Sequence, residues 1–240
     1  MAPSIPPPAP PLNSTLLFRV LEYQDPAVRD SQLCGRGENL NRAQLEDLMA
    51  EHVRYWARAV TPFRSTSRAF IWALWEAWRR VFKLGMDPGS VEILIIDHIG
   101  LPDSMIHALS EEPIINSPKF QNNNNLKGRV THAREVLIQG GIPDKNIIAR
   151  VSWSKIHNRL PQFFDLNAEL EKDYRLRFKD CSRLCRERGR GATLAEIETF
   201  IYEVFRPELS RRASNPILID EYVYILNEHL FTHIFVGDDR

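Results

Sequence analysis

The chain has 240 residues, 43% of them hydrophobic, with five Trp and twelve Phe, enough apolar mass for a packed core and too much for a disordered chain. Its 31 basic and 31 acidic side chains cancel, so no overall field draws it to nucleic acid or to an anionic membrane. The three cysteines, Cys34, Cys181 and Cys185, are too few for a disulfide framework and point to a reducing, intracellular and cytoplasmic setting.

The chain begins "MAPSIPPPAPPL". This lacks the basic start and apolar core of a secretory signal, and residues 1–14 read as an extended, disordered tail. No later apolar stretch reaches the length of a membrane span. "LLFRV", residues 16–20, predicts a strand that carries Arg19, and residues 24–41 read as loop. From Arg42 to Ala59, Leu45, Leu48, Met49, His52, Val53 and Trp56 recur at helical spacing. "TPFRSTSRAF" predicts a short strand after a proline break. Ala69 to Leu84 predicts a helix with Phe70, Ala73, Leu74, Ala77, Trp78 and Val81 on one face, stopped by Asp87-Pro88-Gly89.

"VEILIID", residues 91–97, is β-branched, short and bounded by turns, the plainest strand in the chain. Residues 111–128, which include "QNNNNLKG", predict an Asn-rich loop. In "HAREVLIQGGIPDKNI", residues 132–147, an apolar strand is headed by Glu135 and closed by Gly140-Gly141-Ile142-Pro143. "IIARVSW" predicts another strand. Beyond Pro161 the character turns helical: residues 165–188 are charged helix formers, Thr193 and Glu196 form a capping box, and residues 217–235 repeat at helical spacing. The expectation is an α+β domain over 15–160 followed by a helical C-terminal extension over 161–240.

Arg19, Ser65-Thr66-Ser67 and Glu135 each have an ordinary reading when taken singly. These are a solvated strand charge, a helix cap and a surface acid. Their joint order resembles the heat-labile-enterotoxin and cholera-toxin type of ADP-ribosyltransferase. That family carries an Arg on its first strand, here in "LFRV", a Ser-Thr-Ser strand, here in "FRSTSRAF", and a catalytic Glu in a segment like "EVLIQGGIPDKNI". The Gly-Gly-Ile-Pro is the sharpest match, because the chemistry does not require it. The chain is also similar to an uncharacterised group of fungal proteins assigned this fold. The resemblance covers residues 14–155.

The resemblance implies a split, mostly antiparallel sheet with helices, and NAD as the substrate, cleaved between nicotinamide and ribose. It makes Glu135 the catalytic carboxylate. Ser65, Thr66 and Ser67 orient Glu135 and face the nicotinamide. Arg19 holds a phosphate, and Phe70 or Trp72 packs on the cofactor. Physically, a fixed carboxylate stabilises the positive charge that grows on the ribose as the bond breaks. The arginine-modifying branch has a second Glu where this chain has Ala133. That leaves open a different protein acceptor, plain NAD hydrolysis, or an inactive domain of the same fold used for interaction. A third reading is a helical scaffold whose front half matches by accident.

Other features have bland readings. His229 and His233 lie four apart on a predicted helix but lack a third metal ligand nearby, so no metal is expected. Cys181 and Cys185 read as helix residues, His98 as the end of a strand, and "RLCRERGRG", residues 183–191, as a solvated helix end.

Overall fold

A computed structural model describes residues 16–22, 40–55, 61–111, 114–164, 178–189, 191, 193–212 and 215–231. The Pro-rich tail, Cys34, residues 165–177 and His233 lie outside these residues. Strand β1 (Leu16–Glu22) is followed by helix α1 (Arg42–Tyr55) and strand β2 (Phe63–Ser67). Helix α2 (Phe70–Trp78) runs directly into a π-helical turn, Arg79–Lys83. Strands β3 (Val91–Asp97) and β4 (Ile106–Ala108), short helices α3 (Pro118–Gln121) and α4 (Asn124–Ala133), and strands β5 (Glu135–Gln139) and β6 (Ile147–Ser152) come next. Helices α5 (Trp153–His157), α6 (Phe178–Gly189), α7 (Leu194–Val204), α8 (Arg206–Arg212) and α9 (Pro216–Phe231) complete the α+β architecture.

All pairings in the six-stranded sheet are antiparallel, in the order β4-β5-β2-β1-β3-β6. The ladder is uneven. β1 pairs with β3 along its whole length and β2 with β5 along its whole length, yet β1 meets β2 at one residue pair, Phe18 with Ser67. The sheet therefore opens at its centre into two three-stranded halves. Alternation fixes the faces. Leu16, Phe18 and Val20 join α2 and the C-terminal helices in one cluster, while Phe63 and Leu137 join α1, α3 and α4 in a second. Leu17, Leu21, Leu94, Ile96, Val136 and Ile138 form a third cluster on the opposite face, spanning both halves.

Helices α6, α7 and α9 pack their apolar faces into the same cluster as α2, through Cys181, Cys185, Ile197, Phe200, Ile201, Leu226 and Leu230. Polar ties hold this helical segment to the sheet and to α5. Tyr222 Oη donates to Asp97 Oδ2 at 2.7 Å, Arg212 Nη1 donates to the Ile147 carbonyl at 2.9 Å, and Lys155 Nζ donates to Glu208 Oε1 at 2.5 Å. Among the described residues no helix is long and apolar enough to cross a membrane.

The Asn-rich stretch is not a loop but α3 and α4. Asn122 and Asn123 fall between the two helices, and the Asn123 side chain accepts from the Leu126 backbone N–H at 3.1 Å, a role asparagine fills better than most residues. Asn124 and Asn125 sit exposed in the first turn of α4, while Leu126, Val130 and Ala133 face inward. The Gly-Gly-Ile-Pro break also has a cause. Gly140 takes φ +83° and its N–H donates to the Pro62 carbonyl at 2.7 Å, a corner that closes β5 against the start of β2.

Phe70 is 1% exposed, with its ring 4.9 Å from Phe18 and 5.2 Å from Phe205. It joins the sheet, α2 and the C-terminal helices in a single core. Phe70→Ala is expected to cost about 3–5 kcal/mol, read as the shift in a urea unfolding midpoint.

Candidate active site

Ser65, Ser67 and Glu135 lie on the sheet face where the first two apolar clusters adjoin. Ser67 pairs with Glu135 across β2 and β5, and with Phe18 across the opening. The polar residues thus fill the seam between two cores. Ser65 Oγ donates to Glu135 Oε1 at 2.8 Å. Arg19 points from β1 into the opening, and its Nη1 donates to the Ser65 carbonyl at 2.7 Å. Three segments far apart in sequence are thereby joined in one hydrogen-bonded chain.

The other hydroxyls of the triplet act as latches. Thr66 Oγ1 donates to the Val136 carbonyl at 2.7 Å, and Ser67 Oγ donates to the Ala133 carbonyl at 2.5 Å while accepting from the Ala69 N–H at 2.9 Å. The Arg68 N–H also donates to the Arg134 carbonyl at 3.1 Å. These bonds pin a sharp corner. Ala133 ends α4, and Arg134 has φ 45°, the left-handed conformation that costs a residue with a Cβ about 1–2 kcal/mol. The turn delivers Glu135 at the head of β5 with no intervening loop. It also removes Arg134 from the strand, so strand alternation does not govern where its side chain points.

His52 completes the network, and the sequence pattern hides it. It stands among Leu45, Leu48, Met49 and Val53 on the inner side of α1, where a histidine passes for a core residue. Its Nε2 lies 2.9 Å from Ser65 Oγ, and its Nδ1 is hydrogen-bonded to Thr61 Oγ1. Burial, with the Arg19 and Arg64 charges adding to it, lowers the imidazole pKa to about 4. It is therefore neutral near pH 7, with one N–H. Since the Ser65 hydroxyl proton goes to Glu135, Ser65 Oγ accepts from His52 Nε2–H, and Nδ1 accepts from Thr61. His52→Ala is expected to cost about 1–3 kcal/mol, by leaving the Thr61 hydroxyl without its acceptor and Ser65 Oγ without its donor. His52→Gln, which keeps a donor, should restore part of that stability in thermal melts.

Glu135 is 6% exposed. Burial raises its carboxyl pKa to about 7, against the opposing pull of the Ser65 hydrogen bond and the Arg129 charge. A buried acid with one hydroxyl donor pays for ionisation in lost hydration. Glu135 borders a cleft of about 690 Å³ between α2, α4 and α6, whose walls include Trp72, Trp75, Arg79, Arg129, Ala133 and Lys179. Arg19 and Ser65 stand behind Glu135 rather than in the wall. Phe70 and Trp72 are both buried in the same core, and of the two only Trp72 also borders the cleft, beside Trp75 and Phe178.

The family described as a domain of unknown function, DUF7587, matches residues 15–156. The chain belongs to the DUF7587 family. The matched span holds every member of the Arg19–His52–Ser65–Glu135 network and ends before Phe178 and Lys179, which α6 adds to the cleft. No curated protein and no solved structure matches the chain. His229 is half-buried on α9 with its ring edge-on to Phe18 at 5.3 Å. Among the described residues no group of three or more His, Cys, Asp or Glu side chains is placed to hold a metal ion.

Proposed function

We propose that this chain cleaves NAD at the nicotinamide–ribose bond and passes ADP-ribose to water or to an acceptor, as an ADP-ribosyltransferase-like enzyme. One observation carries the reading. Arg19, Ser65 and Glu135, picked out by the motifs around them and their order along the chain, are linked across the opening of an antiparallel sheet by hydrogen bonds of 2.7 and 2.8 Å. In the reaction the C1′–N bond breaks and its electron pair leaves with nicotinamide. An oxocarbenium-like ribose remains beside the carboxylate. The attacking water or acceptor then forms the new bond at C1′ and releases its proton to solvent. Glu135 is held in place by Ser65, Ser65 by His52 and Arg19, and the strand head by Ser67. The carboxylate therefore reorganises little as charge develops, which is the condition for strong electrostatic stabilisation.

The acceptor follows from Ala133. It lines the cleft beside Glu135 without a charge, and the cleft also contains Arg79, Lys83, Arg129 and Lys179. Among the described lining residues a guanidinium would meet cations and no second acid, so water or a non-arginine protein group fits better. A second reading, an inactive interaction domain of the same architecture, draws on the pKa of about 7 at Glu135. At pH 7 about half of the molecules would hold that carboxyl uncharged.

The test is nicotinamide release from NAD by the purified full chain at pH 8, where Glu135 is largely ionised. Release by the wild-type chain and its loss in Glu135→Gln are expected, with agmatine causing no acceleration. No release above blank from a folded chain, with several candidate protein acceptors supplied, sinks the enzyme and leaves the interaction domain.

A further inference from the structure

The cleft beside Glu135 has a composition that NAD cleavage alone does not require. Its aromatic wall is Trp72 and Trp75 on α2 with Phe178 on α6, the Trp75 and Phe178 rings meeting edge-to-face at 5.7 Å. Its cations come from three separate elements: Lys83 from the π-helical turn, Arg129 from α4, and Lys179 from α6. Lys83, Arg129 and Lys179 are exposed, and among the described residues neither Lys83 nor Lys179 has an ion-pair partner. Arg79 differs. It forks onto the buried Glu76 carboxylate at 2.7 and 2.9 Å, so its charge is largely spent within the fold.

We propose that α6 completes the cleft as a diphosphate clamp, in which Lys179, Lys83 and Arg129 hold the two phosphates of a dinucleotide whose ring system rests on the half-buried Trp75 and Phe178. The inference rests on the NAD reading for the identity of the dinucleotide. It assigns the phosphates to residues other than Arg19, which the family resemblance implied, because Arg19 is turned onto the Ser65 carbonyl and does not line the cleft. A volume of about 690 Å³ lies within the range of small-molecule and cofactor sites. An aromatic wall with several cations is the complement of an anionic ligand bearing flat rings. The clamp also gives the C-terminal helical segment a task, since Phe178 and Lys179 lie beyond the span that the DUF7587 family matches.

The test is tryptophan fluorescence of the full chain titrated with ADP, NAD and adenosine. ADP and NAD are expected to quench and saturate, and adenosine, which lacks phosphate, to bind at least tenfold more weakly. Lys83→Ala and Lys179→Ala, both at exposed positions, should each raise the Kd for ADP about fivefold, the size of one partly screened charge contact. Lys179→Arg should stay within about twofold of wild type, because the charge is kept. If ADP and NAD saturate identically in wild type and in the Lys83→Ala/Lys179→Ala double variant, the clamp is overturned. If wild type releases no nicotinamide but its ADP affinity falls with the lysines, the clamp stands and the chemistry falls. If nicotinamide is released with an unchanged KM for NAD in the double variant, the chemistry stands and the clamp falls.

Discussion

Glu135→Gln is expected to lower nicotinamide release by at least about 100-fold and at the same time to make the fold more stable at pH 8. The loss follows from removing the charge aimed at the ribose, since single electrostatic groups in such sites are worth about 100- to 1,000-fold. The gain follows from the burial of the carboxyl. Its pKa rises from 4.5 in the open chain to about 7 in the fold, so the folded state prefers the protonated form. The contribution to stability is present below pH 4.5 and is lost as pH rises through about 7, because the folded chain holds the proton longer than the unfolded one. At pH 8 the penalty approaches about 3 kcal/mol. Glutamine keeps an oxygen to accept from Ser65 and carries no charge. The stability gap between variant and wild type should therefore widen by about 2 kcal/mol from pH 5 to pH 8, or about 5 °C in Tm. A variant less stable than wild type at both pH values would make Glu135 an ordinary structural hydrogen-bonding group.

The same burial explains why part of this site was legible in the sequence. A carboxylate at the head of the run Val136-Leu137-Ile138 has to be solvated, paired or kept under strain. The Gly140 corner behind it marks where β5 must end. Strand β3 was equally plain, since "VEILIID" is buried almost throughout between β1 and β6. Arg19 could be placed on a strand but not in the opening. That opening comes from β1 and β2 sharing a single residue pair, a tertiary fact with no local signature.

What stayed hidden has physical causes. The Asn run suppresses helix propensity residue by residue, but its members fall at caps and first turns, where asparagine costs little. Strand β4 has three residues, too few for alternation to show. His52 shares the helical spacing of its apolar neighbours, and only the approach of Thr61 and Ser65 from outside α1 reveals its use. Phe70 and Trp72 both read as candidates to pack on a cofactor. Packing buried both in one core, Phe70 against Phe18 and Phe205, and left Trp72 bordering the cleft as well. The part that α6 plays in the cleft was out of reach, because Phe178 and Lys179 meet Glu135 only after α6 packs beside α2.

Nicotinamide release should rise about 100-fold in kcat/KM between pH 5 and pH 8, with a single limb centred near pH 7. In the proposed mechanism the free enzyme needs Glu135 ionised, and its carboxyl is held near 7 by burial; at pH 5 only about 1% of the molecules carry the charge. His52 adds no limb in this range, because burial and the Arg19 and Arg64 charges keep its pKa at about 4. It is neutral throughout and holds Ser65 in one orientation. The limb in kcat should lie at lower pH than the limb in kcat/KM. In the proposed complex NAD would bring its cationic nicotinamide ring towards the carboxylate, and an opposite charge favours ionisation. Lys83→Ala, which acts on the phosphates, should raise the KM for NAD without moving the midpoint in kcat. A rate that is flat from pH 5 to pH 8, or that falls as pH rises, would mean that the acting form of Glu135 is not the carboxylate, and the electrostatic mechanism would go with it.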